Sequence, residues 1–194
     1  MSPWSETDPA DRAMVDQRDE RARTLVERLG PVSRVLDLGC GRGEALGRLG
    51  LDGVGIDPGI VRLRLAPIPV AQADGAALPF PASTFDLVVA FNVFSSIPDA
   101  AHRRAVAVEI TRVLTSGGAV LWYDQRWPNP GNRATRPVGR QELAALFPGA
   151  ASELETITLA PPLARSFPRS YDRLHHLGLL RSHLLGILRL RSEG

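Results

Sequence analysis

Apolar residues come in short runs separated by polar turns, and the spacing inside each run predicts its element. Residues 8–29 are rich in charge, yet Met14, Ala22, Leu25, Val26 and Leu29 fall on one side of a helix. Thr7 or Asp8 can cap it, Pro9 suits its first turn, and Gly30-Pro31 stops it. From residue 34 the rhythm changes. Arg34–Leu38 is a short apolar run ending in Gly39-Cys40-Gly41-Arg42-Gly43, and Glu44–Leu49 then has helical spacing, closed by Gly50. This reads as strand, glycine turn, helix. Gly53–Asp57 is a second strand stopped by Pro58, and Pro67–Gln72 a third whose prolines suit a sheet edge. Phe85–Phe91 is nearly all apolar, as a strand covered on both faces should be. A helix starts at Pro98-Asp99 and runs through Leu114 with Val106, Ile110, Val113 and Leu114 inward. Gly117-Gly118 ends it, and Ala119–Tyr123 is a fifth strand.

Strands alternating with helices at this spacing predict an α/β fold with a parallel, doubly wound sheet. Residues 58–67 separate the second and third strands, close to the minimum for a parallel crossover, so the helix there shrinks to a turn or two. Residues 73–84 leave no room for a full helix either. Residues 125–137 read as a loop, and loops that long in compact domains are usually lids, binding loops or disordered segments. Beyond it, Gln141–Phe147 is a short helix and Leu154–Leu159 a strand, while Leu184–Leu190 fits a strand or a helix. There is no internal repeat or linker. Residues 1–194 read as one domain.

Composition narrows the chemistry. All 23 basic residues of the 194 are arginine, against 21 acids and a formal net charge of +2. Without lysine there is no lysine Schiff base and no P-loop grip. The lone Cys40 supports neither a disulfide framework nor a cysteine-rich zinc site, and no metal site is expected. No apolar run reaches the ~18 to 20 residues of a membrane span, and the charged first thirty residues do not resemble a secretory signal. A cytoplasmic home is the expectation. The charge is uneven: residues 1–124 carry 13 arginines and 16 acids, whereas residues 125–194 carry 10 arginines and 5 acids. A basic region can steer anionic partners, or it can consist of solvated helix faces.

A glycine turn after a first strand sets backbone amides at the carboxyl end of the sheet, where ligands of open α/β folds dock. The dinucleotide fingerprint needs Gly or Ala at the last position of Gly-x-Gly-x-x-Gly. Counting from Gly39 that position is Glu44, and from Gly41 it is Leu46, so the test fails. What stands here is Asp37-x-Gly39-x-Gly41-x-Gly43.

Val35–Gly43 resembles the first motif of class I S-adenosylmethionine (SAM)-dependent methyltransferases, the small bacterial type 11-like kind. Gly53–Pro58, Ala73–Pro81, Phe85–Val89 and Glu109–Gly118 follow in that family's order. The resemblance implies a mostly parallel, Rossmann-like sheet of seven strands, here with a shortened second crossover helix. It implies SAM as cofactor and S-adenosylhomocysteine (SAH) as product. It divides the chain into an N-terminal helix and cofactor core (8–124) and an acceptor-side loop with the rest of the sheet (125–194). Gly39, Cys40 and Gly41 would pass under the methionine part, with Asp37 orienting that loop and offsetting positive charge. Asp57, followed by Pro58, would accept the ribose hydroxyls. Asp74 would accept the adenine amino group with a Gly75 or Ala76 amide at the ring. Phe91 and Asn92 would present backbone to the methionine ammonium.

The acceptor is less defined. Asp124 and Tyr123, at the end of the fifth strand, are the candidate catalytic residues, with Asp124 as base; its alternative role is to bond the following loop or Arg126. No Asn/Asp-Pro-Pro-Tyr motif follows the fourth strand, where Asn92-Val93-Phe94-Ser95 stands instead. His102 reads as a surface residue, and His175, His176 and His183 reach the site only if the C-terminal segment folds over it. Trp127, Pro128 and Pro130 could form an apolar lid, and Arg126, Arg133 and Arg136 could hold an anionic group. The segment 122–165 is similar to small bacterial methyltransferases, some from saccharide or secondary-metabolite pathways. The leading expectation is methyl transfer to a small-molecule acceptor by in-line displacement, in a monomer or a homodimer. A SAM-binding protein with another transfer or no catalysis is the alternative. An NAD-dependent oxidoreductase and a nucleic-acid methyltransferase rank lower, because the glycine spacing and the missing nucleic-acid motifs disfavour them.

Overall fold

The computed structural model describes residues 9–128, 134–159 and 181–190. In chain order the elements are α1 (Pro9–Glu27), β1 (Val35–Leu38), α2 (Glu44–Leu49), β2 (Val54–Asp57), α3 (Ile60–Leu63), β3 (Val70–Gln72) and β4 (Phe85–Phe91). They continue through a 3-10 turn (Phe94–Ser96), α4 (Ala100–Val113), β5 (Leu114–Gln125), α5 (Arg140–Leu146), β6 (Ala151–Leu159) and β7 (Arg181–Arg189). The strands form one seven-stranded sheet in the order β3-β2-β1-β4-β5-β7-β6. Ladders from β3 through β5 are parallel, and β7 runs antiparallel to both neighbours. The expected doubly wound sheet is therefore present, with the proline-flanked β3 at one edge and α3 reduced to one turn. In such a sheet the strand order reverses beside β1, so the carboxyl ends of β1 and β4 open a crevice.

Alternation along the strands builds two cores. One face packs Leu36, Leu38, Val88, Ala90, Val120 and Trp122 against α4 and α5. The other packs Val35, Leu87, Val89, Leu121 and Tyr123 against Ala22, Leu25 and Val26 of α1 and Leu46 of α2. The apolar stripe expected of α1 is buried, with Met14 at 1% and Ala22 at 0% exposure.

Two readings change. Gly117-Gly118 does not end α4; the helix stops at Val113, and Leu114 is already extended and pairs with Phe85. The chain then detours through Gly117 (φ 78°) before the ladder resumes at Ala119 opposite Leu87, so the glycines interrupt β5. The ambiguous 184–190 run is a strand, because it lies between β5 and β6 and each neighbour satisfies its backbone. Its midpoint, Gly186, pairs with Trp122 on one side and Leu154 on the other. A Cβ there would strike the Glu153 carbonyl of β6. Gly186→Ala is expected to cost about 2–3 kcal/mol by forcing β6 away, lowering the melting temperature by roughly 5–10 °C in calorimetry.

Candidate active site

The glycine loop between β1 and α2 has Gly39, Gly41 and Gly43 at φ 68°, 57° and 71°. These are left-handed values that side chains rarely adopt. Gly39 also lies close to β4's continuation, since a Cβ on it would sit 3.0 Å from Val93 Cγ2. Gly41 is the opposite case: nothing lies within 4 Å of where its Cβ would be. The loop is pinned from below by Cys40 N–H donating to the Ile56 carbonyl (2.9 Å) and Gly43 N–H to the Cys40 carbonyl (2.8 Å). Burial pushes the Cys40 thiol up to about 12, with Asp37 and Asp57 adding to the effect, so it is no nucleophile at neutral pH.

Asp37, on the α1 face of β1, is 2% exposed. Burial pushes its carboxyl up to about 7, against the opposing pull of Arg18 and Arg48 and with a further upward push from Asp57. Its Oδ2 has no hydrogen-bond partner among the described residues. Next to the loop on the neighbouring strand, Asn92 ends β4 at φ 56°, held by its N–H to the Tyr123 carbonyl (2.7 Å). Its Oδ1 is the second buried oxygen at this end of the sheet without a partner among the described residues.

The sequence reading missed Arg18. It is 6% exposed, donates from Nε to Asp19 Oδ1 (2.7 Å), and lies 4.7 Å above the Phe91 ring and 5.5 Å from that of Tyr123. Asp19 in turn pairs with Arg48 of α2 (3.0 Å). A guanidinium is thus carried by α1 onto the ends of β4 and β5, beside Asp37. The signal was legible: Met14, Arg18 and Ala22 are spaced by four, so Arg18 belongs to the buried stripe.

Asp57 ends β2 with its side chain 3% exposed. Its Oδ2 accepts from Gly41 N–H (3.1 Å), while Oδ1 accepts from Gly59 N–H (2.7 Å) and Arg62 Nη2 (2.7 Å). The carboxylate therefore ties the glycine loop to the start of α3. Pro58 is exposed and its carbonyl accepts from Gln72 Nε2 (2.9 Å). Asp74 is exposed, and its Oδ1 accepts from both Ala76 N–H (2.9 Å) and His102 Nε2 (2.9 Å). His102, at the surface as expected with its side chain 38% exposed, links α4 to this carboxylate.

Tyr123 and Asp124 are buried on opposite faces of the sheet. The Tyr123 ring stacks on His183 (4.7 Å between centroids, 4° apart) and its hydroxyl meets Thr158 Oγ1 at 2.9 Å. Thr158 itself is buried at φ 64°, an uncommon conformation for a β-branched residue. Burial, with Arg18 nearby, pushes His183 down to about 3, so its ring is neutral. Asp124 is fully buried; its oxygens accept from Ser95 N–H (3.0 Å) and Gln125 N–H (2.8 Å). Burial pushes its carboxyl up to about 6, against the opposing pull of the Ser95 side chain and then of the Ser95, Gln125 and Phe94 amides. Both side chains are thus held by hydrogen bonds to neighbouring residues.

Among the described residues, four arginines of the basic C-terminal part are engaged with the chain itself. Arg136, Arg140, Arg181 and Arg189 each donate to a backbone carbonyl, of Pro98, Leu154, Thr156 and Arg28 respectively. Arg126 lies 4.4 Å over the half-exposed Trp127 ring. Pro130, Arg133, His175 and His176 fall outside the described residues. Among the described residues no cluster of three or more His, Cys, Asp or Glu could hold a metal, and no helix is long and apolar enough to cross a membrane.

Residues 36–122 match the model of the methyltransferase domain family. The chain thus carries, from β1 into β5 and over a little under half of its length, a stretch similar to that family, glycine loop included. Among solved structures it is similar to a SAM-dependent methyltransferase from Archaeoglobus fulgidus, with TM-score 0.68 and 15% identity over 88% of this chain and 92% of that one. A SAM-dependent methyltransferase from Mesorhizobium loti gives TM-score 0.63 and 18% identity over 88% and 96%. The [4+2]-cyclase SpnF gives 0.65 and 18% over 90% and 81%. At these identities the likeness shows the fold, which evidently serves more than one chemistry. No curated protein matches the chain significantly.

Proposed function

We propose that this chain methylates a small-molecule acceptor, holding the donor at the carboxyl ends of β1, β2 and β4. The observation that carries this reading is the pair of buried, unpartnered acceptors, Asp37 Oδ2 and Asn92 Oδ1, on either side of the glycine loop. Each buried unsatisfied group costs about 1–3 kcal/mol. Two such oxygens beside a loop with open space above Gly41 suit a ligand that donates hydrogen bonds and carries positive charge. The methionine ammonium and sulfonium of SAM have both properties, so the residues present fit the cofactor. Gly39, Cys40 and Gly41 would supply the floor under the methionine part, and Phe91 with Asn92 its wall. Asp57 and Pro58 would hold the ribose, and Asp74 with the Gly75 and Ala76 backbone the adenine. Bound SAM supplies an electrophilic methyl on sulfur, displaced in line by the acceptor's nucleophile, so holding the two in line accounts for most of the acceleration.

With Tyr123 and Asp124 buried, we infer that the acceptor attacks without a proton-abstracting group from either. Residues 125–194 complete the sheet and would supply the acceptor side. Arg126 on Trp127 is the described arginine best placed for an anionic acceptor group, and the likeness of residues 122–165 to small bacterial enzymes favours a saccharide or secondary-metabolite intermediate. The direct test is calorimetric titration with SAM, SAH and NAD. SAM and SAH are expected to bind, and Asp57→Ala to weaken both at least thirtyfold. Binding of NAD without SAM would sink the reading. Methyl-labelled SAM incubated with sugar and secondary-metabolite intermediates then identifies the acceptor.

A further inference from the structure

We propose that Arg62 is a latch on the nucleoside site, competing with the ligand's ribose for the carboxylate of Asp57. The inference rests on the assignment of Asp57 to the ribose and adds a residue that binds in its place. A carboxylate offers about four lone-pair sites. Three donors already approach Asp57: Gly41 N–H at Oδ2, and Gly59 N–H with Arg62 Nη2 at Oδ1. Two of these are backbone amides fixed by the glycine loop and the turn into α3. The third sits on a long, rotatable side chain. Asp57 is 3% exposed and Arg62 54%, so the guanidinium lies over the carboxylate from the solvent side, the direction from which a ribose must come. A vicinal diol donating two hydrogen bonds needs the position that Nη2 holds.

The local sequence builds this contact. The crossover after β2 is cut to the single turn Ile60–Leu63, which brings a residue five positions beyond Asp57 back over it. Gly59 makes the approach possible. A Cβ there would lie 3.0 Å from Asp57 Oδ1 and 3.1 Å from both Nε and Nη2 of Arg62, too close for the guanidinium to lie flat across the turn. Arg62 also offsets a negative charge that otherwise faces the neighbouring Asp37. Its far side is in water, and release breaks one half-exposed ion pair, an interaction of modest strength.

The test is binding, measured by calorimetry with SAH on the full chain. Arg62→Ala is expected to bind SAH roughly three- to tenfold tighter than the parent, and Arg62→Lys to fall between them, since lysine keeps the charge but not the fork. In an Asp57→Ala background, removing Arg62 should change nothing, because the two act through one contact. A second readout uses the uncharged nucleoside 5′-methylthioadenosine. Its affinity for the parent should rise with ionic strength as the ion pair is screened, and this rise should vanish in Arg62→Ala. If Asp57→Ala weakens SAH but Arg62→Ala binds no tighter than the parent, the latch is wrong and the ribose assignment stands. The same holds if salt acts equally on both proteins. If Asp57→Ala binds SAH like the parent, the ribose assignment fails and the latch with it.

Discussion

Asp37→Asn is expected to melt at a higher temperature than the parent above neutral pH and to bind SAM roughly thirty- to hundredfold more weakly. Both effects come from one group. Asp37 is 2% exposed, and burial pushes its carboxyl from an ordinary 3.8 to about 7 despite Arg18 and Arg48. A carboxyl raised on folding contributes stability that is complete below its unfolded pKa and lost as pH rises through its folded one. The parent therefore loses this contribution between about pH 4 and 7, whereas asparagine, neutral throughout, loses nothing. A shift of that size corresponds to roughly 2–4 kcal/mol, or about 5–10 °C in a chain of this length. The melting-temperature gap should close below pH 4 and plateau above pH 7. A constant gap across that range would show that the charge is not its cause.

The binding half has the same origin with the opposite sign. A buried anion with an unpartnered oxygen is strained alone and satisfied by a cation. SAM affinity in the parent should rise with pH up to about 7, as Asp37 ionises. Below that pH, binding should release close to one proton, measured by calorimetry in two buffers of different ionisation enthalpy. Arg18→Met should push the Asp37 transition higher, since it removes the opposing guanidinium.

What the sequence disclosed and what it withheld divide along physical lines. β1, β2, β4 and β5 were legible because their apolar runs end in glycine, proline, aspartate or asparagine, which are local signals. β7 was not, since a seven-residue apolar run fits both periods and pairing with β5 and β6 decides it. The Gly117-Gly118 pair misled because glycine marks both a helix stop and a break in a strand. Arg18 was passed over as one more charge on a charged helix, although its spacing from Met14 and Ala22 put it on the buried stripe. Tyr123 and Asp124 are adjacent on β5, so their side chains face opposite ways. The Asp57–Arg62 contact depends on how far a one-turn α3 swings back, which no local pattern encodes.

Asp124 gives the second large effect, and it separates a clasp from a base. Its two oxygens accept the amides of Ser95 and Gln125, which join the 3-10 turn after β4 to the end of β5. Asp124→Ala would leave both amides buried without an acceptor, at about 1–3 kcal/mol each. With the space left behind, a loss of roughly 3–5 kcal/mol and a fall of about 10–15 °C in melting temperature are expected. Asp124→Asn keeps one acceptor but turns an amide donor toward the other N–H, so about half that loss should follow. Folded Asp124→Asn, assayed below its melting temperature, should retain kcat within about threefold and keep the parent's pH profile. A base would behave differently: losing a group poised at about 6 would cost 10²- to 10⁴-fold and remove the acidic limb of the profile. The distinction matters for Asn92 as well. The Asp124 clasp holds Ser95 in place, Ser96 Oγ donates to the Asn92 carbonyl (2.8 Å), and Asn92 N–H reaches the Tyr123 carbonyl. Weakening the clasp should therefore raise the SAM dissociation constant through Asn92 while leaving the chemical step alone, a change in KM without a matching change in kcat.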